Sequence, residues 1–204
     1  TDAGALAGFL DSMRFALRVS VGVRDAVVFS SVRAGANTAD AASALPGIEW
    51  TWEDPWPGVA EGGAAYFQGE RHPGARTPMM YHVASPEGAA SFEDAWLGVT
   101  EGGSRRRAGI LAWEAMRIAA WKPRLGREVD ARTIPAEVDW LRTAVHTDKG
   151  CYRGQETIAR VINLGRPPRR LTYLQLDGSR ADLPAPGTPI EVGGRQVGVI
   201  TSAA

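Results

Sequence analysis

Residues 149–156 read KGCYRGQE. This octet holds the only cysteine of the chain and one of its two lysines, in a protein that otherwise takes its positive charge from arginine. It is neither a good helix nor a good strand, because two glycines interrupt it. A thiolate is the nucleophilic form of cysteine, and neighbouring cations or the amides of a helix N-terminus favour it. Lys149 and Arg153 stand two residues to either side of Cys151, and Gln155–Val161 can form a short helix directly after. In an extended loop, positions 149, 151 and 153 share one side. Gly150 and Gly154 allow backbone shapes that let a ligand come close. The alternative is that Cys151 is a small buried apolar residue, as most lone cysteines are. The residues alone leave both readings open.

Working outward, the segment RAGILAWEAMRIAAWK (107–122) has the strongest helical pattern, with Leu111, Ala115 and Ile118 as its apolar stripe and Pro123 as its stop. Pro135 opens another helix, with Val138, Leu141 and Val145 on the buried side. Toward the N-terminus, Leu6, Phe9, Leu10 and Met13 predict a helix over 4–16. Leu17–Val23 and Ala26–Val32 alternate as strands. Residues 33–64 read mostly as loop, with Ile48–Trp52 a short strand; Ala65–Gln68 and Met79–Ala84 are two more strands. Ser85-Pro86-Glu87 starts a helix reaching about Leu97. Beyond Pro167-Pro168, Leu171–Leu176 alternates as a strand, and PIEVGGRQVGVITS (189–202) is a hairpin turning at Gly193-Gly194. The class is α+β, with a boundary near the double proline: 1–167 as one domain and 168–204 as the start of a small β domain whose hairpin leaves an unpaired edge.

The 204 residues are 44% hydrophobic and 23% charged, which suits an ordinary soluble protein that buries a core without staples. The single cysteine offers no internal disulfide, and TDAGALAGFLDSMRF lacks the features of a secretory signal, so a cytoplasmic location is expected. Net charge is zero but polarised: residues 1–104 carry 6 Arg against 13 acids, residues 105–204 carry 17 Lys+Arg against 10. Six of the basic residues fall in 149–170 against the single acid Glu156, a plausible place for an anionic ligand. His72, His82, His146 and Cys151 do not share metal-site spacing, so no tightly bound metal is expected. GRPPRRL (165–171) lacks interleaved aromatics, which argues against nucleic acid. No apolar run approaches a membrane span.

The stretch from Met116 to Gly178 resembles the YgfZ family of folate-binding proteins, relatives of the glycine-cleavage T-protein (aminomethyltransferase). The resemblance rests on Lys-Gly-Cys-Tyr, then Gly-Gln-Glu, then Ala-Arg, after an Arg-bearing helix and a Pro-Arg-Leu-Gly turn; the match over 18–110 is loose. It implies T-protein-like, ferredoxin-like lobes around a central folate cavity and a C-terminal β-barrel, with an N-terminal part missing here and the barrel cut short. It implies tetrahydrofolate as cofactor and a role in assembling or repairing iron–sulfur enzymes through Cys151, with iron–sulfur proteins or their assembly machinery as partners. T-proteins have a Glu two residues after the helix Arg, where this chain has Arg117-Ile118-Ala119; that counts against aminomethyl transfer, which stays as the alternative and leaves enzymatic activity open. The expected site is Cys151 with Lys149 for chemistry, and Arg117, Tyr152, Gln155, Glu156 and Arg160 around folate. A pterin needs an apolar aromatic slot with a few polar groups. Gln155 and Glu156 suit its amino groups, and Arg117 and Arg160 its carboxylates. Glu156 also stands one helical turn before Arg160, where a surface ion pair would be worth a few tenths of a kcal/mol, ~0.3.

Overall fold

The computed structural model describes residues 2–33, 38–67, 69–98, 105–179 and 181–204. The chain is mixed helix and sheet and divides into two units, one of residues 1–52 and 80–106, the other of 53–79 and 107–204. The expected boundary at the double proline falls inside the second unit.

In the first unit, α1 (Ala3–Ser12) starts at Asp2, whose carboxylate accepts the N–H groups of Gly4 and Ala5. Strands β1 (Val27–Val32), β2 (Ile48–Glu53) and β3 (Met79–Ala84) form a sheet in the order β1-β3-β2. The central strand is the buried one, with Met79, Met80, His82 and Ala84 all sealed. His82 sits between the strands: its Nε2 is 2.8 Å from the Ser31 hydroxyl on β1 and its Nδ1 3.1 Å from that of Thr51 on β2. Ser85 begins the turn into α3 (Ala89–Gly98), its hydroxyl accepting the Gly88 N–H. Phe92 and Trp96 of α3 pack on the His82 ring, and Phe92 also meets Phe29. A short α2 (Thr38–Ser43) falls in the segment expected as loop.

The second unit holds a single-turn 3₁₀ helix, Pro73–Arg76. It continues with α4 (Ile110–Ala119), the 3₁₀ turns Pro135–Val138 and Trp140–Arg142, and α5 (Gln155–Leu164). Its core is Ala136, Leu141, Ile158 and Val161, joined by Tyr66, Ile134, Val145 and Tyr152. The hairpin of β4 (Pro189–Val192) and β5 (Arg195–Val199) is antiparallel, turning through Gly193 (φ 58°) and Gly194 (φ 74°) as its sequence requires.

Five expectations need correcting. Leu17–Val23 and Leu171–Leu176 alternate but form no strand among the described residues, and neither do residues 65–67 (Gln68 lies outside them). Alternation marks a strand only where a neighbour completes the ladder. The helix expected from Pro135 is instead two 3₁₀ turns, because Asp139 between them takes a left-handed φ of 57°. Its carboxylate is tied to the Tyr66 N–H (2.9 Å) and the Arg142 guanidinium (3.3 Å). Finally, the Leu111 stripe of α4 is its open side, with Leu111 81% exposed, while Arg117 on the other side is 1% exposed.

Candidate functional site

The loop from Lys149 to Gly154 is delivered by a short clamp. The N–H of Ala60 and that of Ala64 donate to the carbonyls of Arg142 and Leu141, and the N–H and hydroxyl of Thr147 both donate to the Gly62 carbonyl. At Gly62 φ is +69°, and the His146 ring lies where a Cβ would stand. Only glycine lets these two segments come this close.

Beyond the clamp, Cys151 is exposed and unpaired. Lys149 is also exposed, its Nζ 5.7 Å from the centre of the Tyr152 ring. Tyr152 packs onto the core and anchors the loop. Gly154, with φ +82°, precedes the first turn of α5. Gln155 opens that turn half-buried, its N–H donating to the Tyr152 carbonyl, whereas Glu156 and Arg160 are exposed. Ile158 and Val161 face the core, so α5 presents its polar side outward.

Arg117 lies in a buried network. Its guanidinium donates to Glu114 (2.8 Å), Glu128 (3.0 Å), the Lys122 carbonyl (2.8 Å) and the Ser202 hydroxyl (2.9 Å). Ser202 in turn bonds Glu128, and Arg124 pairs with Glu114 at 2.8 Å. Two carboxylates answer two guanidiniums, which is what lets these charges be buried. A ligand carboxylate at Arg117 would have to displace one of these partners.

The same unit holds an aromatic group that has no pattern in the sequence, because its members, Trp56, Phe67, His72 and Trp121, are scattered along the chain. His72 meets Phe67 and Trp56 edge to face, each at 5.2 Å between ring centres. Phe67 meets Trp121 at 5.7 Å, again edge to face, and His72 and Trp121 are 6.4 Å apart and tilted by 33°. The Trp56 indole donates to the Ala120 carbonyl. His72 Nδ1 accepts the Gly74 N–H, which leaves the proton of the neutral ring on Nε2. Burial first and the Arg142 charge second lower the His72 pKa to about 4, so the ring is neutral at pH 7. Its Nε2 and the Trp121 Nε1 are both sealed from water without an acceptor among the described residues. Each such donor costs about 1–3 kcal/mol. Trp121 also has a left-handed φ of 58°, a further cost of about 1–2 kcal/mol for a bulky residue. Beside this group, Lys122 pairs with the buried Asp54 carboxylate. Near the core, burial raises the pKa of Asp139 and of the Tyr66 hydroxyl. Among the described residues no group of three or more His, Cys, Asp or Glu is arranged to hold a metal, and no helix is long and apolar enough to cross a membrane.

Two curated proteins are similar to part of this chain. A chloroplastic protein of Arabidopsis thaliana, described as a candidate transferase, is 37% identical over 94 residues, 46% of this chain and 21% of its own. An aminomethyltransferase of Streptomyces avermitilis is 30% identical over 98 residues, 47% of this chain and 26% of its own. The chain thus spans about a quarter or less of the length of these relatives. The similarities support a relationship to the aminomethyltransferase-like superfamily. No family model and no solved structure matches the chain.

Proposed function

We propose that this chain is part of a tetrahydrofolate-binding, T-protein-like protein that supports assembly or repair of iron–sulfur enzymes through the Cys151 thiol. The observation that carries the reading is the loop 149–154. Its thiol is open to solvent, cations stand on both sides in the sequence, and it leads into α5, whose outer side carries Glu156 and Arg160. The partial similarity to an aminomethyltransferase supports the folate ligand. In this reading Gln155 and Glu156 meet the pterin amino groups and Arg160 a tail carboxylate, while Arg117 fixes the scaffold. The lobes and barrel implied by the resemblance belong to the same proposal, as does a reducing, cytoplasmic location.

Titration calorimetry with tetrahydrofolate tests the ligand. Glu156→Ala is expected to weaken binding about tenfold, the loss of one charge-assisted hydrogen bond of ~1.4 kcal/mol. Equal affinity removes the assignment. In cells, Cys151→Ala is expected to abolish support of iron–sulfur enzyme activity without loss of folded protein. The name of the second relative favours one other reading, aminomethyl transfer. Turnover of an aminomethyl donor by purified protein and tetrahydrofolate would establish it in place of the first.

A further inference from the structure

We propose that Trp121 and His72 are a pair of neutral N–H donors that bind the carbonyl oxygen of a planar lactam heterocycle, with Phe67 closing one end of the site. Neither residue belongs to the KGCYRGQE loop, and no sequence motif marks them. Three observations meet there. The His72 ring is 6% exposed and its Nε2–H has no acceptor among the described residues. The indole N–H of Trp121 is in the same condition. The Trp121 backbone is held in the left-handed region, which a bulky residue adopts only where its surroundings impose it.

The three rings lie against one another, with centres 5.2, 5.7 and 6.4 Å apart. Phe67 stands nearly perpendicular to both His72 (78°) and Trp121 (76°), while those two are tilted by only 33° to each other. Trp121 and Phe67 are only half-buried, so a ligand approaches past them rather than past His72. The donors carry no charge at pH 7, and the nearby Lys122 is paired with Asp54. Uncharged donors on aromatic walls suit a polar but uncharged oxygen on a flat ring, better than a carboxylate or an ammonium group. A lactam offers that oxygen together with a planar face. Both N–H groups are shut off from water in the closed arrangement, so binding requires the Trp121 side chain to yield, and the oxygen then supplies the missing acceptor. The donor pair stands on these observations alone; naming the lactam a pterin rests on the folate reading.

The test is nuclear magnetic resonance of the chain labelled with 15N-tryptophan and 15N-histidine, with the Trp121 indole signal assigned through Trp121→Phe. The probes are 2-pyridone, a bare lactam, and tetrahydrofolate. Addition of either is expected to move the Trp121 indole proton downfield and to shift the His72 Nε2 signal. His72→Phe, which keeps the ring and removes the donor, is expected to weaken that probe about tenfold. If the variant does not fold, the wild-type spectra still decide. Binding of tetrahydrofolate, seen by calorimetry, with both signals unmoved by either probe overturns this site and leaves the folate reading standing. A response to 2-pyridone without one to tetrahydrofolate upholds the donor site and removes the pterin as its ligand. No response to either probe overturns the site; the two donors then rest against the face of Phe67 as packing.

Discussion

His82 on the central strand bridges to Ser31 on one neighbouring strand and Thr51 on the other, one ring nitrogen to each. Each hydroxyl can donate or accept, so the cost of protonating this ring is that of charging it where it is buried. Burial first, and the Arg105 charge second, lower its pKa from 6.5 to about 4.

His72 is lowered to the same value, which sets the direction of a pH effect. Below pH 6.5 the unfolded chain takes up a proton on each of these imidazoles, while the folded chain does not until about pH 4. Stability contributed by the two neutral rings is therefore fully present above pH 6.5, falls as the pH drops toward 4, and levels off below. Each ring contributes up to about 3 kcal/mol over that window. Urea unfolding at pH 7.5, 5.5 and 4 checks this. His82→Gln is expected to flatten the slope by one proton; an unchanged slope refutes the assignment.

Arg117 joins α4 to the tail at Ser202. Arg117→Ala removes the guanidinium from Glu128 and leaves Glu114 to Arg124, and is expected to cost about 3–5 kcal/mol. Adding Glu128→Gln is expected to restore part of that loss, because one stranded charge is gone. If the double variant is no more stable than the single one, the network is not what holds these charges.

Gly62 is where the His146 ring crosses the backbone. Gly62→Ala is expected to cost about 2 kcal/mol or more, from left-handed strain together with displacement of the ring. A double-mutant cycle with His146→Ala separates the two, since only the steric part is relieved when the ring is removed. Additive effects would place the whole cost in the backbone.

Glu137 and Arg169 form a two-point ion pair with unequal burial: the Arg169 side chain is 70% exposed and that of Glu137 6%. Arg169→Ala is expected to cost about 1 kcal/mol or less, a surface arginine's share. Glu137→Ala also removes the acceptor of the Ile134 N–H, so it is expected to cost at least twice as much. Equal effects in urea unfolding would contradict the inequality.

The exposed thiol makes a direct prediction as well. One equivalent of an aromatic disulfide reagent is expected to react with Cys151 in the folded protein without unfolding it. Labelling that appears only in denaturant would show that the loop hides the sulfur.

The elements that could be read from the chain are those whose cause is local. The Gly193-Gly194 turn, α5 after Gly154 and the Ser85 turn into α3 each carry their own stop or start, and each forms close to where its residues placed it. The same holds for the KGCYRGQE loop, which ends at Gly154 with φ +82°. The strands expected at 17–23 and 171–176 did not form, because a strand needs a partner and its alternation says nothing of whether one is there.

The inward side of α4 was decided only in three dimensions. Counting apolar residues picks the Leu111 stripe, yet Arg117 is the buried residue, because Glu114 and Glu128, one of them eleven residues away, neutralise it there. The grouping of His72 with Phe67 and Trp121 has the same origin. Local sequence sets where turns and helices begin, through bonds between near neighbours. Which polar groups are buried, and which are left without a partner, depends on contacts between residues far apart in the chain, and no short stretch contains them.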